Sequence, residues 1–490
     1  MQLSKSSLVR SIQCAKSLYL YKYNYHLRDK PSVHLQHKFN RGHQIGKLAW
    51  QLFPNGKDVS PSSPSNFSPS IKATQLLLQQ NFPIIYEAAF KYNGLLAAID
   101  ILENKNGIIN IYEVKSSLKI SNTYLQDCAI QYYILKQNKI SINDFSIIHI
   151  NSDYTLNDSL DLDSYFVKTS VLEKIEALQP YIAEKINEAI QIVTTTTMPT
   201  IDIGGHCLKP YTCDFYGTCW KDVATASFWN LQGISLQQKE AWQQKKLQTI
   251  YDVKANSLLN TQEKLIVSSY QKQQIKTNPS AIKKYLQQIK YPIAFFDIEA
   301  YQPAIPTIKG TKPYERIPFL YSIHLLENKD ATTTHHYFMI ANHQDNRKAF
   351  ITQFLKDTTN CNSIVVFNDL LEKNILHKFS VWFPELKSEI DKRIDKIIDL
   401  EIIFKNYWYY HYNMMGSLSL KTISNALSKQ DIYDNSTIKD GAEAMSIFND
   451  IELIENVNQK KKLVKQLVDY CSADTAVLVK LFHFLQQQVI

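Results

Sequence analysis

The stretch "PIIYEAAFKYNGLLAAIDILENKNGIINIYEVKSS", residues 83–117, constrains the fold of this chain more than any other. Three apolar runs of strand length are separated by Asn93-Gly94 and by Asn104 to Gly107, both of which carry the residue types that reverse a chain. Three strands joined by turns are therefore predicted. The next segment, "NTYLQDCAIQYYILKQ", has helical periodicity. At 490 residues the chain is too long for one ordinary core, so two domains and a connector are expected.

Further along, "SVLEKIEALQPYIAEKINEAIQIV" predicts one long helix, which leads through "TTTTMP" into a cysteine loop. A Ser/Pro loop spans 60–70. From 226 to 288 the chain is Gln/Lys-rich with apolar residues at helical spacing, and "YPIAFFDIEAY" then opens a new series of strands. "SIVVFND" is a second buried strand, and "QKKKLVKQLVDYCSADTAVLVKLFHFLQQ" a long amphipathic helix. The expected organisation is an α/β domain over 1–225, a helical connector over 226–288 and an α/β domain over 289–490. No internal repeat is evident.

Hydrophobic residues at 44% and charged residues at 20% describe a globular chain. No apolar run reaches bilayer length, which excludes a helical membrane protein. The polar, basic, aromatic N-terminus lacks the features of a secretory signal, so a cytoplasmic location with reduced cysteines is expected. Lys plus Arg outnumber Asp plus Glu by 54 to 46, giving +8, a balance compatible with a polyanionic partner but found in many proteins that bind none.

In the first strand group Asp100 is expected to end one strand, while Glu113 and Lys115, two apart, leave the same face of the next. Converging carboxylates and an amine suit metal-assisted phosphodiester hydrolysis. The acids hold Mg²⁺ or Mn²⁺, the metal acidifies a water, and the Lys orients that water or offsets charge. Glu87 on the preceding strand could add a carboxylate. Asp127 and Gln131 share a face of the following helix. Taken singly, each of these residues is more often a solvated surface group.

This constellation resembles the RecB-like branch of PD-(D/E)XK nucleases. The resemblance implies a restriction-endonuclease-like domain with Asp100, Glu113 and Lys115 as catalytic core and Glu87 as upstream acid. Gln131 then lies on the helix where relatives contact substrate. One departure stands out: in "RGHQIGKLA" Gly46 occupies the place where relatives often carry a metal-binding His.

Three of the seven cysteines fall in "GGHCLKPYTCDFYGTCW", with five residues between successive thiols. Such a cluster in a reduced compartment points to metal. Cys207, Cys213 and Cys219 with His206 could form a tetrahedral zinc site, and with Cys14 from "SSLVRSIQCAKSLYL" they could bind zinc or an iron–sulfur cubane. Several RecB-like nucleases, among them the AddB type and CRISPR-associated exonucleases, close this domain with an iron–sulfur cluster held by one early and three late cysteines. That resemblance favours the cluster, with zinc as alternative. Cys128, Cys361 and Cys471 read as core.

"IAFFDIEAY" places Asp297 and Glu299 on one face at the end of a strand, where carboxylates repel unless a cation lies between them. "YCSAD" places Tyr470 and Asp474 four apart on one helical face. Together they resemble the Tyr subgroup of DEDD exonucleases, which have a ribonuclease-H-like fold. The resemblance implies two divalent metals held by Asp297, Glu299, Asp474 and a middle acid, with Tyr470 positioning the attacking water. Glu372, or Asp369 one turn earlier, supplies the middle acid, after Asn368. Asn368 and Lys421, the latter in a Gly-Ser-x-Ser-x-Lys stretch, are candidates for nucleic-acid contact, as is Asp399 nearby; an ordinary loop and helix is the competing reading.

The wider chain resembles a bacterial family, domain of unknown function 2779, that joins both kinds of domain in this order. Its connector can hold a helix–hairpin–helix, of which "LQGISLQQKEAWQQKKLQTIYDVKA" is a degenerate version without the phosphate-approaching glycines. The expected function is metal-dependent nuclease action, on DNA in particular, in DNA processing, repair or defence, with a helicase or similar protein as a possible partner and no membrane. The competing expectation is a nucleic-acid-binding or assembly protein with one or both sites degenerate, motivated by Gly46 and Glu372.

Overall fold

A computed structural model describes residues 2–63, 66–254, 259–428 and 437–489. Two residues of the Ser/Pro loop, Pro64 and Ser65, and four of the connector, 255–258, lie outside them. The chain is a mixed α/β protein that divides into two compact units: Met1–Asp222 with Thr311–Pro313, and Val223–Gly310 with Tyr314–Ile490. Among the described residues no helix is long and apolar enough to cross a membrane.

In the first unit the strands are β1 (Leu3–Ser4), β2 (Lys57–Asp58), β3 (Ile84–Tyr92), β4 (Leu95–Lys105), β5 (Ile108–Lys115), β6 (Ile142–Ile150) and β7 (Phe166–Ser170). They form one sheet in the order β2-β3-β4-β5-β6-β7, with β1 added parallel to the start of β4. The hairpins β3-β4 and β4-β5 turn at Asn93-Gly94 and Asn106-Gly107, four residues whose positive φ suits Asn and Gly. Asp100 does not end a strand: β4 continues for five residues beyond it, because the buried apolar residues Ile101 and Leu102 pair with both β3 and β5.

The helices that matter here are α1 (Lys5–Gln13), α2 (Ala15–Tyr23), α3 (Val33–Trp50), α4 (Asn122–Gln137) and α5 (Gln179–Thr194). Helix α4 starts at Ser121, whose hydroxyl accepts from the Tyr124 N–H, and buries Cys128, Ile130, Ile134 and Leu135 in the core with Ile99, Ile111, Phe145 and Ile147. The single helix expected over 170–193 is two, Leu172–Ala177 and α5. Pro180 in the first turn of α5 lacks the N–H that a continuous helix would need.

In the second unit β8 (Ile293–Tyr301), β9 (Ile317–Leu326), β10 (Thr334–Met339), β11 (Ser363–Val366) and β12 (Ile397–Asp399) form a mixed sheet ordered β10-β9-β8-β11-β12. Strand β9 runs antiparallel to both neighbours, whereas β11 is parallel to β8 and β12. Phe296, Tyr321, Phe350, Phe354 and Phe379 fill the core, each contributing roughly 2–3 kcal/mol of burial free energy. Helices α6 (Leu370–Trp382), α7 (Gly441–Asp450) and α8 (Val457–Gln487) carry or flank the residues of interest. The segment read as a connector contains three short helices, Leu236–Gln244, Thr261–Lys272 and Pro279–Leu286, all within this second unit.

Candidate functional sites

In the first unit strand register aligns three acids. Tyr86 faces Ile101 and Ala88 faces Ile99 across β3 and β4, which sets Glu87 opposite Asp100. Across β4 and β5 the paired register ends at Ile101–Tyr112, and Asp100 and Glu113 lie one residue beyond it, close enough for their charges to interact. Glu87, Asp100 and Glu113 thus occupy one cross-strand row, where like charges repel. Glu87 also has a φ of +55°, a left-handed conformation that costs a non-glycine residue about 1 kcal/mol and is typical of functional sites.

Two lysines answer the row. Lys115 Nζ donates to Glu113 Oε1 at 2.6 Å and to Asp127 Oδ2 at 2.5 Å. Lys5 Nζ reaches the same two oxygens at 2.9 and 3.3 Å. Gln131, expected to meet substrate, is fully buried and donates to Glu113 Oε2 at 2.7 Å. Burial alone would raise Glu113, but Lys115 and Lys5 outweigh it and hold its carboxyl below the usual range. Burial and the Glu113 charge push Asp100 well above its ordinary value and raise Glu87 as well. Asp100 Oδ2 accepts from the Val114 N–H at 2.7 Å. Four carboxyl groups thus face two ammonium groups, and a bound divalent cation would favour the ionised forms of Asp100 and Glu87.

Cys14, Cys207, Cys213 and Cys219 line one pocket with His206, Ser17 and Phe215. Cys14 is the extended residue between α1 and α2. The loop is strapped to these helices. Arg10 and Arg28 both bind Asp214 Oδ2 at 2.8 Å, and Gln13 Nε2 donates to the carbonyls of His206 and Tyr211 at 2.8 Å. All four cysteines are free thiols. Burial raises the Cys14 and Cys219 thiols, and the charges of Cys207 and Cys213 add to this.

In the second unit Asp297 and Glu299 on β8 and Asp474 on α8 offer carboxylate oxygens within 4.8 Å of one another, the only such group of three or more His, Cys, Asp or Glu among the described residues. Glu372, on the first turn of α6, is 3% exposed, and its Oε2 has no hydrogen-bond partner. Burial and the Asp297 charge raise it well above the carboxylate range. The alternative middle acid, Asp369, instead pairs with Lys373. Burial pushes Asp297 up to about 6, and Glu299 rises well above its ordinary value through burial and the charges of Asp297, Asp474, Glu372 and Asp440.

Helix α8 is fixed against the sheet by buried polar contacts. Ser322, opposite Asp297 in the ladder, meets Thr475 Oγ1 at 2.8 Å, and His324 Nδ1 meets the same hydroxyl at 2.8 Å. Burial beside His335 holds His324 down to about 4, so it is neutral at pH 7. This anchoring brings Asp474 to β8, with Tyr470, buried, one turn earlier. Asp399 accepts the N–H groups of Asn368 and Glu401 at 2.8 Å, pinning the turn after β11. Asn368 and Lys421 are exposed, on that turn and on the helix Leu420–Leu427.

Three residues escape sequence reasoning. Lys5 follows a two-residue strand, and nothing in "QLSKSS" marks it. Cys471, readable only as core, is buried but places Sγ 3.2 Å from Asp297 Oδ2. Asp440 caps α7 by accepting from the Glu443 N–H, and the same helix start brings Gly441 beside Glu299.

A family model described as a domain of unknown function, DUF2779, matches residues 294–419. That span runs from β8 to just before the helix holding Lys421 and includes Asp297, Glu299 and Glu372. No curated protein matches the chain, and neither does any solved structure.

Proposed function

We propose that this protein is a metal-dependent nuclease with an acidic centre in each unit, hydrolysing phosphodiester bonds of DNA. The reading joins a PD-(D/E)XK-type centre to a DEDD-type centre in a ribonuclease-H-like unit. The observation that carries it is the group Asp297, Glu299 and Asp474 with buried Glu372 beside it. Asp297, Glu299 and Glu372 all have raised proton affinity, Glu372 keeps an orphaned oxygen, and Asp474 adds a further carboxylate within reach, which is what a divalent-ion site would need. These four would hold Mg²⁺ or Mn²⁺. Bound there, the metal would supply an acidified water and offset charge on the phosphoryl group.

The chain's own contribution is positional. Tyr470, one helical turn before Asp474, would orient the attacking water through its hydroxyl. In the first unit Glu87, Asp100 and Glu113 would hold the ion, while the Lys115 ammonium, bound to Glu113 and Asp127, would keep Glu113 ionised and offset charge on the reacting phosphate. The four thiols that share one pocket would hold an iron–sulfur cluster, with zinc as the alternative.

The test is anaerobic purification, a visible spectrum with iron and zinc determination, and cleavage of end-labelled single and double strands of DNA and RNA with Mg²⁺ or Mn²⁺. Metal-dependent cleavage is expected. Chelator-insensitive binding without turnover would instead favour a nucleic-acid-binding protein with degenerate sites, the reading that Gly46 supports. A colourless protein with stoichiometric zinc would overturn the cluster assignment.

Metal binding in the second unit should depend on pH. A proton competes with the ion for Asp297, whose carboxyl titrates at about 6. Mn²⁺ affinity, followed by calorimetry, is expected to be near its plateau at pH 7.5 and to fall by roughly tenfold for each pH unit below about 6. An affinity that stays flat from pH 7.5 to 5 would contradict the assignment of Asp297 as a ligand.

A further inference from the structure

Lys5 and Cys14 are the two ends of one helix. Strand β1 holds the first end, pairing Leu3 and Ser4 with Leu95 and Leu96 of the strand that carries Asp100. The Ser4 hydroxyl caps the helix by accepting from the Ser7 N–H. Lys5 then extends to Glu113 and Asp127 with its side chain 23% exposed. Nine residues later, roughly 14 Å along a helix, Cys14 enters the thiol pocket. Between them Leu8 is buried in the core, Arg10 binds Asp214 and Gln13 binds two loop carbonyls. No stretch of this helix is free of one anchor or the other.

We propose that α1 is a lever joining the thiol pocket to the acidic row, with Lys5 as a positioning residue whose ammonium reaches Glu113 only while the Cys14 end is anchored. Glu113 is gripped from three sides, by Lys115, Lys5 and Gln131. Lys115 and Gln131 come from the sheet and from α4. Lys5 alone comes from an element whose other end is clamped to the cysteine loop, through Arg10 on Asp214 and Gln13 on the His206 and Tyr211 carbonyls. Loosening that end lets α1 shift, takes one cation from Glu113 and Asp127, and changes the orientation of the Glu113 carboxylate. The state of the cysteines is thereby communicated to the row without any contact between the two sites. The lever stands independently of catalysis; only its effect on cleavage rests on the nuclease reading.

Amine footprinting of the whole chain with an acetylating reagent, read by mass spectrometry, tests the lever directly. In the intact protein Lys5 is expected to react on the order of tenfold more slowly than the exposed Lys329. In Cys14→Ser its rate should approach that of Lys329 while Lys115 stays protected. If Cys14→Ser fails to fold, Lys115 becomes reactive too, and Gln13→Ala, which keeps all four thiols and removes two clamps, decides with a partial gain in Lys5 reactivity. Lys5→Ala should lower Lys115-dependent cleavage by roughly tenfold through kcat rather than KM, and Lys5→Arg should restore most of it. Unchanged Lys5 protection in folded Cys14→Ser or in Gln13→Ala overturns the lever. Full cleavage by Lys5→Ala overturns the positioning role. A wild-type chain that cleaves nothing defeats the nuclease reading and leaves the footprint to decide the lever.

Discussion

Lys115→Ala and Asp297→Asn are each expected to abolish one cleavage activity and leave the other. The two residues belong to separate compact units, and each sits where its unit's negative charge is concentrated. Lys115 is the shortest cationic contact of both Glu113 and Asp127. Asp297 belongs to the group of three and bears on Glu372 and Glu299. Removing a group that orients or acidifies the nucleophile costs on the order of 10²-fold or more, so each single variant should lose one component of the end-labelled product pattern almost completely. The double variant should be inert with either metal. Two variants that cut like the parent, or one substitution that silences all cleavage, would exclude two independent centres.

The second expectation concerns stability, and its sign differs between the units. Glu113 is 2% exposed and lies between two lysines. Taking it away leaves ammonium groups buried with one fewer partner, so Glu113→Ala should destabilise the first unit by about 3–5 kcal/mol. Glu299 has the opposite surroundings, with Asp297, Asp474, Glu372 and Asp440 all raising its proton affinity. In chelator, Glu299→Gln should therefore stabilise the second unit, by about 1 kcal/mol or more, through relief of like-charge repulsion.

This gain carries a pH signature. Asp297 binds its proton more tightly folded than unfolded, so between its ordinary value and about 6 the folded state holds more protons and stability falls as pH rises. The benefit of Glu299→Gln is then largest above pH 6 and shrinks toward pH 4. Saturating Mn²⁺ should reverse the ranking, because the parent alone then keeps its full ligand set and gains stability by mass action. Guanidinium unfolding of both variants, with chelator and with metal, reads all of this. A stabilised Glu113→Ala or a destabilised metal-free Glu299→Gln would refute the charge balance described for that unit.

Much of the architecture was legible in the residues because its causes are local. Alternation with a period of two put Glu113 with Lys115 and Asp297 with Glu299 on common faces. Asn-Gly turns bounded β4, and spacing by four paired Tyr470 with Asp474 on α8. The cysteine loop announced itself by composition. Tertiary structure alone decided the rest, because register and burial depend on partners far away in the chain. Only the pairing of β3, β4 and β5 reveals that Glu87, Asp100 and Glu113 form a row, with Asp100 in mid-strand. The docking of β1 on β4, together with the clamps at the far end of α1, carries Lys5, more than a hundred residues away, to Glu113. Asp369 and Glu372 are equivalent on paper until one meets Lys373 and the other is buried against Asp297. Short-range periodicity fixes which way a side chain leaves its own element, whereas what it meets there is set by long-range packing, which no local pattern encodes.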